Sequence, residues 1–403
     1  MNLTKTQSTI SRKKLLSIAG LGWAFDAMDV GILSFVIAAL AIEWNLTPEQ
    51  MGWIGSVNSI GMVVGALVFG IMADKIGRKN VFMLTLVLFS VGSGLSALTT
   101  TLTAFMVLRF FVGAGLGGEL PVASTLVSES VEAKERGRIV VLLESFWAVG
   151  WLVAALISYF VIPEYGWRVA LVITALPAFY AIYLRIKLPD SPQFSAKKKL
   201  TQSVFQNIRD VWSKKYVKAT IMLWIVWFMV VFSYYGMFLW LPSVMVMKGF
   251  SLIKSFEYVL IMTLAQLPGY FTAAWMIERM GRKFVLALYL LGTAISALIF
   301  GNADTTAILL TSGIFLSFFN LGAWGALYAY TPEQYPTIIR GTGAGMAAAA
   351  GRIGGVLGPL LVGSLVAAKI DIGIVFGIFC IAIVIGVIAV IFLGKETKQI
   401  ELE

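Results

Sequence analysis

The sequence predicts an all-α polytopic membrane protein whose twelve transmembrane helices form two six-helix halves. Three observations predict it. Of the 403 residues, 59% are hydrophobic and only 13% are charged, about half the charged share of an ordinary soluble domain. Twelve apolar stretches are long enough to cross a bilayer, each needing roughly 20 residues. Two charged loop motifs recur at one fixed offset of 204 residues.

The first span, 15–42, carries Asp26 and Asp29 where hydrocarbon is expected. A charge at the centre of a membrane helix costs roughly 2.5–3.5 kcal/mol even on lenient insertion scales. Arg12, Lys13 and Lys14 precede this span as they would a signal peptide. It is too long for one, though, and holds two acids and no small-residue cleavage site. The second span, 50–73, runs into a charged loop, and the third follows at 80–100. The fourth, 103–128, holds Arg109, Glu119 and glycines 113, 115, 117 and 118, which permit close helix packing. Glu144 and Trp147 lie in the fifth, 138–162, and the sixth is 168–186. A basic linker, 187–216, divides an N-terminal half (1–186) from a C-terminal half (217–403). The second set is 217–241 with Tyr234 and Tyr235, 253–277 with Gln266, 284–301, 306–331 with Asn320 and Trp324, 342–367 with Arg352, and 371–393.

The net charge of +10 invites a nucleic-acid reading, but its placement excludes it. With the N-terminus inside, 25 of the 31 Lys and Arg fall on the inner side, four on the outer, and two (Arg109 and Arg352) within spans. That is the positive-inside pattern, with both termini cytoplasmic. A single cysteine, Cys380, rules out an intramolecular disulfide and a thiolate metal cluster. There is no histidine, hence neither the usual zinc ligand nor the commonest general base. The expectation is a carrier, not an enzyme, with no cofactor or metal.

"GIMADKIGRK" (70–79) follows span two and "AWMIERMGRK" (274–283) follows span eight, pairing Asp74 with Glu278 and Arg78 with Arg282. "ESVEAKERG" (129–137) and "EQYPTIIRG" (333–341) pair Glu129 with Glu333 and Arg136 with Arg340 in the same register. One accidental match is cheap; two in one register are not. With "RFFVGAGLGGELP" (109–121), "PDSP" (189–192) and "GKETK" (394–398), these motifs resemble the major facilitator superfamily along the whole chain. Within it the chain is similar to the metabolite:proton symporter branch. "LGWAFDAMDVGILSF", "LLESFWAVGWL" and "FFNLGAWGALYAYTPEQYP" closely resemble bacterial niacin transporters. "GKETK" has lysine where sugar porters usually have proline, which speaks against a sugar.

From the residues alone, the chain reads as a proton-linked transporter of a small anionic metabolite. Asp26 and Asp29 share one helix face, and Arg109 falls at a similar depth to Asp29. Either the trio of Asp26, Asp29 and Arg109 takes a coupled proton or contacts the substrate, or it is a permanent ion pair between helices one and four. Glu119 and Glu144 form a proton exit or pair with basic loop residues. Arg352 suits a carboxylate, because its fork holds one by two bonds; otherwise it contacts helix ends or a hydroxyl. Trp147, Tyr234, Tyr235, Asn320, Trp324 and, more weakly, Gln266 offer ring faces and amides to a flat heteroaromatic acid. Asp74, Arg78, Glu129, Arg136, Glu278, Arg282, Glu333 and Arg340 are expected to hold a gate. The resemblance implies proton-coupled uptake of nicotinate or nicotinamide by a monomer in a bacterial plasma membrane. Another aromatic acid, an exporter and a non-transporting receptor remain as alternatives.

Overall fold

The computed structural model describes residues 12–76, 78–129, 136–177, 179 and 204–398. The side chains of Asp74, Arg78, Glu119, Glu129 and Arg136, and the linker up to residue 203, lie outside the described residues. Fourteen helices and no strands occur among those described. The first half contains α1 (Arg12–Glu43), α2 (Pro48–Ile76), α3 (Arg78–Ser96), α4 (Leu102–Glu129) and α5 (Arg136–Ile173). α5 spans twice, turning at Gly166, whose φ of 82° lies in the left-handed region. A short α6 (Val204–Val211) precedes the second half. That half contains α7 (Val217–Phe238), α8 (Leu241–Met247), α9 (Leu252–Leu264), α10 (Gln266–Met280), α11 (Arg282–Gly301), α12 (Thr306–Glu333), α13 (Thr337–Ala367) and α14 (Ile372–Leu393).

The repeat read from two loops governs the helix boundaries as well. α2 and the α9–α10 pair begin and end 204 residues apart, as do α4 and α12. The caps repeat too. At Thr47 a capping box closes, its hydroxyl accepting from Gln50 N and its own N–H donating to Gln50 Oε1. At the matching position Ser251 caps α9 by accepting from Lys254 N. Thr101 accepts from Ala104 N, and Thr305, 204 residues on, from Ile308 N. Both halves thus start their helices by the same local chemistry.

One of the expected single spans is broken and another is followed at once by a short helix, and proline explains each. Pro242 cannot donate to the Phe238 carbonyl, and α7 stops at Phe238 before α8 resumes. Pro268 leaves the Leu264 carbonyl without its donor, and α9 gives way to α10 at Ala265. The second break sets Gln266 at the first turn of α10, fully buried.

The halves meet along two repeat-related seams, α2 against α13 and α5 against α9, α10 and α12. Within the first half, glycines interlock α2 with α4. A Cβ on Gly61 would strike the Phe110 carbonyl, and one on Gly113 the Asn58 carbonyl. Small residues let membrane helices approach this closely. On the outer surface Leu, Ile and Phe are exposed all along the spans, as at Phe160, Phe271 and Phe392. That is the surface a bilayer covers.

Candidate functional site

The polar residues expected inside the membrane separate into two groups. Asp29 belongs to the first. It is fully buried, and its Oδ2 accepts from Arg109 at 3.3 Å. Ser93 Oγ donates to its Oδ1, and Arg109 also reaches Ser93 at 2.7 Å and Ser96 at 3.2 Å. Thr174 Oγ1 closes the cluster on Ser93 at 2.7 Å. All these partners lie in the first half, tying α1 to α3, α4 and the start of the sixth span. Asp26, one turn earlier, is 2% exposed, and it and Arg352 are both within electrostatic reach of Tyr235 on α7. Of the expected trio, Asp29 and Arg109 form the ion pair.

The second group is an aromatic cage between the halves. Trp147 of α5 stacks on Trp324 of α12 with centroids 6.2 Å apart and planes 20° from parallel. Trp147 Nε1 donates to the Tyr234 hydroxyl at 2.8 Å, and Tyr234 packs on Trp324 at 4.9 Å. Trp23 of α1 closes one side, 5.8 Å from Trp147 and edge-on to Tyr328 at 6.0 Å. Trp227 of α7 covers Tyr328 at 4.8 Å. The stacked indoles leave no room for a third ring between them, which needs layers roughly 3.5 Å apart on either side.

Arg352 sits beside this cage on α13. Its one hydrogen bond among the described residues is to Met62 Sδ at 3.4 Å, with the Tyr235 hydroxyl also in reach. No carboxylate of the described residues forms an ion pair with it. A thioether is a weak acceptor, so this guanidinium keeps bonding capacity that the described residues leave unfilled.

Glu144 differs from its expected setting near basic loops. It is fully buried among the indoles, and Trp23 Nε1 donates to its Oε2 at 3.2 Å. Its Oε1 has no hydrogen-bond partner. Nor do Trp324 Nε1, the Tyr270 hydroxyl, Asn320 Oδ1 and both amide atoms of Gln266. Buried polar atoms are nearly always satisfied. Those on α5, α10 and α12 leave unfilled bonding capacity along the seam between the halves.

Trp23, Trp227, Tyr270 and Tyr328 were not singled out in the sequence. Helical spacing carried the signal for two of them: Tyr328 lies four residues beyond Trp324 and Tyr270 four beyond Gln266, hence on the same faces.

The charged motifs of the second half meet at the end of the bundle where the chain finishes. Arg282, 2% exposed, holds Glu278 by two bonds (2.7 and 3.1 Å) and Glu333 through Nε at 3.0 Å. Glu396 of "GKETK" accepts from the backbone N–H groups of Arg282 and Lys283 at 2.8 and 3.1 Å. Glu278 also accepts from Arg138 N of α5 at 3.2 Å, a bond across the halves. Arg340 donates through Nε to the Pro332 and Tyr335 carbonyls.

The profile of the Major Facilitator Superfamily matches residues 19–267 and 258–402. The chain belongs to this family. It is a multi-pass membrane transporter. It is 66% identical over 397 residues to a candidate niacin/nicotinamide transporter of Bacillus subtilis, covering 98% of this chain and 99% of the relative. It is 47% identical to the niacin transporter NiaP of Acinetobacter baylyi, covering 96% and 95%. Among solved structures, the proton:xylose symporter XylE superposes with a TM-score of 0.77 at 19% identity, covering 96% of each chain. That likeness concerns the fold.

Proposed function

We propose that this chain imports nicotinate, with nicotinamide as a second substrate, across a bacterial plasma membrane with both termini cytoplasmic. Uptake is coupled to protons and proceeds by alternating access. The observation that carries the reading is Arg352, a cation that forms no ion pair among the described residues and reaches the Tyr235 hydroxyl, whose ring packs on Tyr234 of the aromatic cage. The niacin transporters at 66% and 47% identity support the same substrate. A flat aromatic acid puts its carboxylate on Arg352 and its ring against Trp147 and Trp324. Because those indoles belong to different halves, the ring engages both only as they rock about the midplane site.

Asp26 supplies the coupling. It shares the neighbourhood of Tyr235 with Arg352, so its negative charge competes with an incoming carboxylate for that cation. Protonating Asp26 removes the competitor, and substrate and proton then travel together. The duplicated motifs hold the cytoplasmic gate, with Asp74 and Arg78 doing in the first half what Glu278 and Arg282 do in the second.

The deciding experiment is nicotinate flux in proteoliposomes with and without an imposed pH gradient. Accumulation only with the gradient supports the reading. Binding without flux would make the chain a receptor, and flux indifferent to the gradient would remove the proton.

Two substitutions test the parts. Trp147→Ala and Trp324→Ala are each expected to weaken nicotinate binding several-fold, since an aromatic pairing contributes about 0.5–1.5 kcal/mol beyond area burial. Isothermal titration at wild-type affinity for both would move the ring elsewhere. Arg282→Ala leaves Glu278 and Glu333 facing one another without their cation. The expected result is slow flux with nicotinate affinity unchanged; undiminished flux would deny it a part in gating.

A further inference from the structure

We infer that Glu144 recognises the ring nitrogen of the substrate and is the residue that selects a pyridine acid over a benzene acid. The inference rests on the proposed nicotinate site and adds a second polar anchor to it. A carboxylate at Arg352 and stacking on indoles describe benzoate as well as nicotinate. Nothing in those two contacts sees the nitrogen.

Glu144 is placed to see it. It stands one helical turn before Trp147 on α5, so both side chains lie on one face of that helix. Tyr328 lies within electrostatic reach of both Glu144 and Arg352, so one ring of the cage has both groups in its neighbourhood. Oε2 of Glu144 is held by Trp23 Nε1 at 3.2 Å, which fixes the carboxyl group. Oε1 is fully buried and without a partner. The Trp324 indole N–H interacts with the carboxyl group without the geometry of a full hydrogen bond. The Tyr270 hydroxyl, also within its electrostatic reach, is unpartnered as well. No Lys or Arg of the described residues forms an ion pair with Glu144.

A buried carboxyl oxygen walled by aromatic rings is complementary to a ring atom that shares a proton. The pyridine nitrogen is such an atom. One proton lies between Glu144 Oε1 and the nitrogen, and either atom serves as the donor. A benzene ring offers a C–H there and leaves Oε1 unpaired, which is the costly outcome for a buried polar atom. Sites built to hydrogen-bond a substrate reject the analogue that lacks the group far more strongly than apolar pockets do.

The test is equilibrium binding of four acids to the purified full-length protein: nicotinate, benzoate, picolinate and isonicotinate. Wild type is expected to bind nicotinate about tenfold or more tighter than benzoate. Picolinate and isonicotinate, whose nitrogens stand elsewhere on the ring, should bind like benzoate. Glu144→Ala should abolish the preference, so that nicotinate and benzoate bind alike. Glu144→Gln, whose amide N–H still donates, should keep the preference for nicotinate. An alanine variant that retains the nicotinate preference overturns the inference. Should that variant fail to fold, the wild-type series decides: equal affinity for nicotinate and benzoate, or indifference to the position of the nitrogen, overturns it too. In that case nicotinate transport itself still stands, whereas a protein that binds none of the four acids loses both readings.

Discussion

Arg352→Ala is expected to abolish saturable nicotinate binding, with a loss of about a hundredfold or more. Hydrogen bonds to charged groups contribute roughly 1.5–3 kcal/mol each, and a guanidinium offers a carboxylate two of them. The folded protein should survive the change, because the residue's hydrogen-bond partner in the structure is a thioether at 3.4 Å rather than a buried acid. Arg352→Lys should recover little, since an ammonium is a point charge that does not reproduce the planar fork. Calorimetric titration of both variants, with thermal unfolding as a control, checks this. Full affinity in the lysine variant would reduce the requirement to charge alone. Unimpaired alanine would take Arg352 out of the site.

Much of the fold was legible because hydrocarbon imposes a simple rule. Backbone polar groups inside a bilayer must bond internally, so long apolar stretches become helices. The fixed offset of 204 residues was visible in two loops and extends to the helix caps at Thr47 and Ser251 and at Thr101 and Thr305. The helix breaks were less legible. Pro332 and Pro359 sit inside continuous helices here, whereas Pro242 and Pro268 follow interruptions. Neighbouring helices and local adjustment decide which prolines are absorbed, and that is tertiary information.

The site divides similarly. Trp147 and Trp324 stand out by depth and chemistry, and the structure stacks them. Depth was a poor guide for Glu144. Its position along the helix suggested loop partners, but its rotation about the axis points it at Trp23. The spacing of Asp26 and Asp29 put both on roughly one face. Three residues on a helix still differ by about 60° around the axis. That difference is enough to give Asp29 to Arg109 and Asp26 to the neighbourhood of Tyr235.

Neutralising these two acids should therefore have opposite consequences. In Asp29→Asn, Arg109 keeps its serine contacts but loses its carboxylate in a fully buried cluster. Breaking a buried pair from one side costs about 3–5 kcal/mol, because the remaining charge is uncompensated. That is a large fraction of the roughly 5–15 kcal/mol that holds a typical domain folded. Folded yield, melting temperature and substrate exchange should fall together. Asp26→Asn should instead fold like wild type and exchange nicotinate at equal pH, because exchange need not return an empty, deprotonated carrier. What it loses is accumulation against a gradient. For one proton per nicotinate anion, each pH unit supplies about 1.4 kcal/mol, a tenfold accumulation limit, and the variant should show none of it. The measurement is gradient-driven uptake beside equal-pH exchange on both purified variants. Intact accumulation in Asp26→Asn would release Asp26 from the coupling role. A stable Asp29→Asn that exchanges but does not accumulate would transfer that role to Asp29.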